Sequence, residues 1–353
     1  MSRGATAAPG EIEVVMKKAS VTLHEVAAAA GVSIATVSRA LNGKDRVSGR
    51  TAEHVAQVAE QLGYRVNLIG RGLRAGTGAT IGVVVPVISN PFYGELIHRL
   101  EDHLQRRGLD LVIADSHGDV DRERDRLRML VERRVEGIFV VPADAELSFE
   151  AVADTARRVP LVQLDRRVLD LPADFVGVDN DAGIDLAVEH VTSRGARRVV
   201  LVSGNDVTSV GRERRAAFEE TVRTRGLPEE QNIFGEYLLS FGESAAEALL
   251  ARGPLPDAII AGDDLVAAGT IAALKRAGRS VPADVQVTGF DGTMLADVCE
   301  PRLTTVVQPF DELAREATEA LVRRMEDPDA AFVLRRLAPS LRVAESTTPA
   351  SPR

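Results

Sequence analysis

The chain has 353 residues, 45% of them hydrophobic and 27% charged, a formal net charge of −9 and a single cysteine, Cys299. That length exceeds what one hydrophobic core usually serves, so two or three domains are expected, and the composition excludes disordered, fibrous and disulfide-built classes. No apolar run approaches the roughly 20 residues a bilayer requires, residues 1–15 lack a secretory pattern, and the six histidines lack metal-ligand spacing. A cytoplasmic protein with no cofactor, metal or membrane partner is expected.

The charge is unevenly placed. Residues 1–76 hold ten Lys/Arg against six Asp/Glu, whereas the rest of the chain holds 33 against 46. A small basic head on a large acidic body is a footprint of phosphate contact by the head. Residues 1–20 show no periodicity and are expected to be a disordered extension. From Val21 the pattern sharpens. Thr22 is placed to N-cap a short helix, with Glu25 at the capping-box spacing and Leu23, Val26 and Ala27 as its apolar stripe. Gly31 ends that helix. Ser33 caps a second one, whose Val37 and Leu41 face inward while Ile34, Ala35, Ser38 and Arg39 face outward. A third helix from about Arg50 to Leu62 closes a small core with Val55, Val58, Ala59 and Leu62. Helix, tight glycine turn and second helix make a helix-turn-helix, the shape that enters the major groove of double-stranded DNA.

The runs VTLHEVAAAAGVSIATVSRALNG and RVSGRTAEHVAQVAEQLGYRVN resemble the headpiece of the lactose-repressor/galactose-repressor family of bacterial transcription regulators. The resemblance implies that Ile34, Ala35 and Arg39 read bases, and that Asn42 and the region of Thr22 and Ser33 lie near phosphates. Of these readers only Arg39 can make a bidentate contact, to guanine. The linker from Asn67 to Ala75 matches the family's hinge helix, with Leu73 at the position of the leucine wedged into the minor groove of operator DNA. Glycines at 70 and 72 each cost such a helix about 1 kcal/mol relative to alanine.

From Thr80 onward apolar runs alternate with helical stretches. Ile81–Val85, Leu109–Ala114, Gly137–Val141, Leu161–Leu164, Phe175–Val178, Val199–Ser203, Ala258–Ala261 and Val285–Phe290 read as buried strands. Residues 93–107, 121–134, 182–194, 212–225, 243–252 and 264–277 read as the helices between them. The pattern predicts two parallel-sheet α/β lobes. Polar residues recur past the strand ends, where ligands of open α/β sheets bind. Asp165, Asp263 and Asp291 are candidate ligand contacts there, and Asp181 and Asp264 read as helix N-caps.

This part resembles the family's effector domain, itself similar to periplasmic sugar-binding proteins. Asn90-Pro91-Phe92-Tyr93, Arg214 with Phe218, Asp263-Asp264 and Gly289-Phe290-Asp291 match its motifs. The implied effector site uses Asn90, Phe92, Asp165, Arg214, Asp263 and Asp291. Ala217 stands where the family usually has glycine, Gly292 where it often has a second aspartate, and Ser240 or Phe241 where it has an aromatic. Leu303–Pro309 resembles a return strand into the first lobe, followed by a helix from Phe310 to Met325.

The resemblance implies a fold in which an all-α helix-turn-helix headpiece precedes a two-lobed α/β periplasmic-binding-protein-like effector domain. The expected divisions are a headpiece at 21–66, a hinge helix and linker at 67–78, a first lobe at 79–164 plus 292–326, a second lobe at 165–291 plus 327–345, and a disordered tail at 346–353. The expected function is a repressor that binds palindromic operator DNA as a homodimer or tetramer and is gated by a small-molecule effector. Three carboxylates against Arg214 favour a neutral sugar or polyol over a sugar phosphate, nucleobase or nucleoside, with Arg166 left open. An α/β enzyme is the more distant alternative, opposed by the lack of G-x-S-x-G, P-loop and G-x-G-x-x-G motifs.

Overall fold

A computed structural model describes residues 23–41, 49–62 and 80–347. The chain divides into two compact units, residues 1–74 and 75–353.

The first unit contains α1 (Leu23–Ala30), α2 (Ile34–Leu41) and α3 (Gly49–Gln61). Val26, Ala27, Ala30, Val37, Val55 and Ala59 bury one apolar core among the three helices. The turn between α1 and α2 requires Gly31 at φ +65°, a left-handed conformation disfavoured for a residue with a Cβ. Ser33 then caps α2 by accepting the Thr36 amide at 3.1 Å. Leu62, expected in this core, lies just past the end of α3 and is 39% exposed.

The second unit contains two six-stranded sheets. The first sheet has β1 (Thr80–Val85), β2 (Asp110–Asp115), β3 (Gly137–Val140), β4 (Leu161–Leu164), β5 (Asp174–Val178) and β11 (Leu334–Leu337), in the order β11-β5-β4-β3-β1-β2. All its pairings are parallel. The second sheet has β6 (Val199–Gly204), β7 (Ile233–Gly235), β8 (Ala258–Ala261), β9 (Gln286–Asp291), β10 (Thr304–Val307) and β12 (Ser340–Arg342), in the order β12-β10-β9-β8-β6-β7. Only its edge strand β12 is antiparallel.

Helices cover both faces of each sheet, so the strands read as continuous apolar runs. On the first sheet, α4 (Pro91–Gln105) and α12 (Phe310–Glu326) share one core, while α5 (Val120–Glu132) and α6 (Phe149–Ala156) cover the other face. On the second, α7 (Asn180–Ser193) and α8 (Ser209–Thr224) lie on one face, and α9 (Leu239–Arg252) and α10 (Asp264–Arg276) on the other. The last two approach closely. A Cβ on Gly242 would stand 2.2 Å from the Val266 carbonyl oxygen of α10, and one on Gly269 would stand 2.0 Å from that of Leu239. A short helix, α11 (Leu295–Val298), follows β9.

The chain passes between the sheets three times: after β5, after β10, and between β11 and β12. The expected lobe limits are therefore corrected at three strands. Residues 174–178 and 334–337 pair with each other in the first sheet, not the second. Residues 304–307 pair with β9 in the second sheet instead of returning to the first. Side chains enforce both placements. The buried Asp174 carboxylate accepts Arg324 Nε at 2.8 Å and the Val333 amide at 2.7 Å, binding β5 to α12 and to the approach of β11. The Thr304 hydroxyl sits 2.7 Å from Thr347 Oγ1 and accepts the Ala344 amide at 2.8 Å. The expected disordered tail consequently starts too early. Ser346 is fully buried, donating its hydroxyl to the Val287 carbonyl at 2.6 Å, and Thr347 is 2% exposed.

Candidate functional site

The carboxyl ends of the two sheets face each other, and there the loops bring their polar residues together. β4 is followed by Asp165 and Arg166, β8 by Gly262 and Asp263, β9 ends in Asp291, and β10 leads to Gln308. Two of the aspartates hold backbone conformations unusual for a residue with a Cβ, Asp165 at φ 58° and Asp291 at φ 109°. Such strain, of order 1–3 kcal/mol each, persists where surrounding structure enforces it and clusters at functional sites.

Arg214, from α8, is the hub. Its Nε donates to Asn180 Oδ1 at 2.8 Å, its Nη1 donates to the Gly262 carbonyl, and its Nη2 lies 3.9 Å from Asp291 Oδ1. The guanidinium stacks on Phe290 at 3.6 Å and lies 5.9 Å from the Tyr237 ring centroid. Asp291 is further held by Gln308 Nε2, which donates to it at 2.8 Å. Asp165 receives the Tyr93 hydroxyl at 3.5 Å and lies 3.8 Å from Arg166 Nε. Arg166 also approaches the Tyr237 ring, at 5.9 Å.

Burial dominates the protonation of this cluster. It pushes the carboxyls of Asp165 and Asp291 up, against the opposing pull of Arg166 on the first and Arg214 on both, and raises Asp263 to about 6. Burial likewise raises the phenols of Tyr93 and Tyr237, so both are neutral donors. Asn90 acts on Asp263 from the opposite lobe, lowering its pKa, while its own Oδ1 caps α4 by accepting the Phe92 amide at 3.0 Å. Within this cluster, three buried side-chain polar atoms have no hydrogen-bond partner: Asp263 Oδ2, Gln308 Oε1 and Arg166 Nε. Two acceptors and one donor stand ready for a polar guest.

Of the six residues expected at the effector site, the structure gathers Asn90, Asp165, Arg214, Asp263 and Asp291. Phe92 packs in the first-lobe core. Pro91 starts α4 and turns Phe92 inward, where it is 3% exposed with its ring 5.5 Å from that of Phe310. Its neighbour Tyr93 reaches Asp165 instead. The aromatic sought at Ser240 or Phe241 is Tyr237, whose hydroxyl lies 3.4 Å from Ser203 Oγ, while Phe241 packs in the second-lobe core. Arg166, Tyr237, Gln308 and Asn180 are additions to the expected set. Arg166 was left open by the sequence, and Gln308 stood in the run Leu303–Pro309.

The expected caps also shift. Asp179 and Asp263 cap α7 and α10, through the Ala182 amide at 3.0 Å and the Val266 amide at 2.7 Å. Asp264 instead binds the loop after Asp291, accepting the Thr293 amide at 2.7 Å and the Thr305 hydroxyl at 2.6 Å. Among the described residues, the one His/acid group with metal-like proximity is His98, Glu101 and Asp102 on α4, a mainly exposed helix face.

In the headpiece, Ser33 caps α2 and Ile34 is 38% exposed. Ala35, Ser38 and Arg39 lie on α2, but their side chains fall outside the described part of the structure. Thr22, Asn42, Asn67 and Leu73 lie outside the described residues altogether.

Residues 22–67 match the family model of bacterial regulatory proteins of the lacI family, and residues 188–347 match that of the periplasmic binding protein-like domain. The HTH-type transcriptional regulator DegA of Bacillus subtilis (strain 168) is 32% identical over 332 residues, 93% of this chain and 98% of its own. The lac repressor dimer bound to operator and an anti-inducer superposes with a TM-score of 0.84 at 25% identity, covering 93% of this chain and 99% of that one. A complex of the transcriptional regulator CelR with cellobiose superposes with a TM-score of 0.70 at 30% identity, covering 92% and 99%. A helix-turn-helix headpiece joined to a two-sheet periplasmic-binding-protein-like domain, with this identity over nearly the whole length, places the chain in the lacI family of bacterial regulatory proteins, as a DNA-binding transcriptional regulator.

Proposed function

We propose that the chain is a repressor that binds a palindromic operator as a homodimer and is gated by a neutral polyhydroxylated effector, a sugar or polyol, held between the lobes. The unpartnered acceptors Asp263 Oδ2 and Gln308 Oε1 carry the ligand class, because ligand hydroxyl groups can donate to both. Three aspartates line the same space, so a phosphate would enter against carboxylates already disfavoured by burial. Arg166 and Arg214 favour an anion, and Asp165 at 3.8 Å from the first and Asp291 at 3.9 Å from the second offset them. The similar CelR was captured with cellobiose, which agrees with this class. A thermal-shift screen of neutral sugars, nucleosides and sugar phosphates tests it. A sugar at 100 times its dissociation constant should add about 2.7 kcal/mol. Stabilisation by phosphates or nucleosides alone would overturn the reading.

Two variants test the DNA-binding half. Arg39→Ala should weaken operator binding by roughly 1–3 kcal/mol and relax preference at one base pair per half-site, with far less effect on random DNA in a gel-shift titration. Equal loss on both DNAs would make Arg39 a phosphate contact. For the dimer, Met294 and Val298 form an apolar step one turn apart on and beside α11, 70% and 67% exposed. Met294→Glu with Val298→Glu should shift the protein toward monomer in sedimentation velocity and lower operator affinity. An unchanged oligomer would remove this face from the interface.

A further inference from the structure

Arg214 is held by a contact whose orientation depends on its neighbour in sequence. Asn180, the first residue of α7, is buried, and its side-chain amide is used at both ends. Oδ1 accepts Arg214 Nε at 2.8 Å, and Nδ2 donates to Glu213 Oε2 at 2.8 Å. A half-turn of that amide would set donor against donor at the guanidinium and acceptor against acceptor at the carboxylate. Glu213 and Arg214 are consecutive on α8, and a helix turns about 100° per residue, so the two side chains leave it in different directions and meet again at Asn180.

Glu213 is itself fixed. Its Oε1 accepts from Arg167 Nη2, in the loop after β4, at 3.2 Å and from Arg336 Nη2, on β11, at 3.1 Å. Arg167 is anchored in turn, its backbone amide donating to Ser209 Oγ at 3.0 Å and its guanidinium lying 5.7 Å from the Phe175 ring centroid. One carboxylate oxygen thus serves two cations from the first lobe, and the other is left for Asn180. We infer that Glu213 is a positioning residue of the ligand site: it sets the Asn180 amide and, through it, the aim of the Arg214 guanidinium. Hydrogen bonds at Nε and at Nη1, the latter to the Gly262 carbonyl, fix the fork within its plane. Loss of the first lets the group swing about the second and turns Nη2 away from Asp291.

The inference rests on the ligand reading for its purpose, but its first test uses no ligand, so the two can fail separately. In 1H–15N spectra of the full-length protein, the Arg214 Nε–H resonance, assigned by its loss in Arg214→Lys, should exchange slowly with solvent. Glu213→Ala should speed that exchange about ten-fold, while buried amides of β6 and β8 keep their wild-type rates. Asn180→Asp keeps the acceptor for Arg214 but sets a second carboxylate oxygen against Glu213, and should act likewise. Combining it with Glu213→Gln, whose amide can donate to the new carboxylate, should restore slow exchange. The dissociation constant of the sugar giving the largest thermal shift should follow the same order, about ten-fold weaker in the two single variants and recovered in the pair. Should Glu213→Ala not fold, the Asn180→Asp and Glu213→Gln cycle decides alone. Unchanged Nε exchange in the single variants, parallel acceleration of β6 and β8, or effects of Asn180→Asp and Glu213→Gln that merely add would each overturn the positioning role. If no sugar binds, the ligand reading fails and the exchange rates still decide the role of Glu213.

Discussion

Replacing Arg214 with alanine should lower the unfolding free energy by about 3–5 kcal/mol and abolish any ligand-induced thermal shift. The side chain is 3% exposed and supplies hydrogen bonds to Asn180 and to the Gly262 carbonyl, as well as the cation nearest Asp291. Removing one partner of a buried pair leaves the other uncompensated, and this cost exceeds what the pair itself contributed. Arg214→Lys should recover part of the stability, since it keeps the charge, but little ligand response, since it loses the planar fork that meets three acceptors at once. Headpiece binding to operator should persist, because Val26, Val37 and Val55 form a core of their own. Urea denaturation and calorimetry on the three proteins decide the matter. Wild-type stability in Arg214→Ala would show that the hub is not an energetic centre.

The second large effect is on pH. Glu123 is fully buried, and burial raises its carboxyl from 4.5 to about 7, against the pull of Ser148, the Ala143 amide and Arg166. Asp264 is raised to about 7 and Asp263 to about 6, both chiefly by burial, and Asp291 is raised in the same sense. For each, the folded protein holds its proton more tightly than the unfolded chain does. Stability is therefore greatest below the unfolded value near 4 and falls as pH rises toward the folded value. Wild-type protein should lose stability steadily from about pH 5 to pH 8. At ~1.4 kcal/mol per tenfold change in proton affinity, Glu123 alone accounts for roughly 3 kcal/mol of that loss. Glu123→Gln keeps an acceptor for Ala143 and removes the titration, so it should match wild type near pH 5 and exceed it by up to roughly 3 kcal/mol at pH 8. Parallel stability curves for the two proteins would contradict the assignment.

The long elements were legible from sequence because burial on both faces leaves uninterrupted apolar runs, as in Val199–Gly204, all six residues of which are buried. The same property hid the lobe limits. Phe175–Val178 and Leu161–Leu164 are alike as text, and nothing within a buried strand says which sheet will receive it. The missed strands carry the opposite problem. Leu334–Leu337 reads Leu-Arg-Arg-Leu with three of its four residues exposed, and Ile233–Gly235 has only three residues, so neither shows a period. At the site, aspartates past strand ends were visible as chemistry, but the division of labour between neighbours was not. Asp263 both caps α10 and faces the cleft, whereas Asp264 turns back to hold the Asp291 loop, a difference of one position on a helix start. Phe92 and Tyr93 both pack in the first-lobe core, and only the Tyr93 hydroxyl reaches Asp165, a contact that apolar patterning does not announce.

The central claim, that occupancy of the polar cluster gates operator binding, is tested most directly by one titration. An operator is first selected from random duplex DNA with the full-length protein, and its affinity is then measured with and without the sugar that gives the largest thermal shift. The account predicts a palindromic operator whose affinity changes with that sugar in the wild type and does not change in Arg214→Ala. A selected operator whose affinity the sugar leaves unaltered in the wild type, or alters equally in the variant, would contradict it.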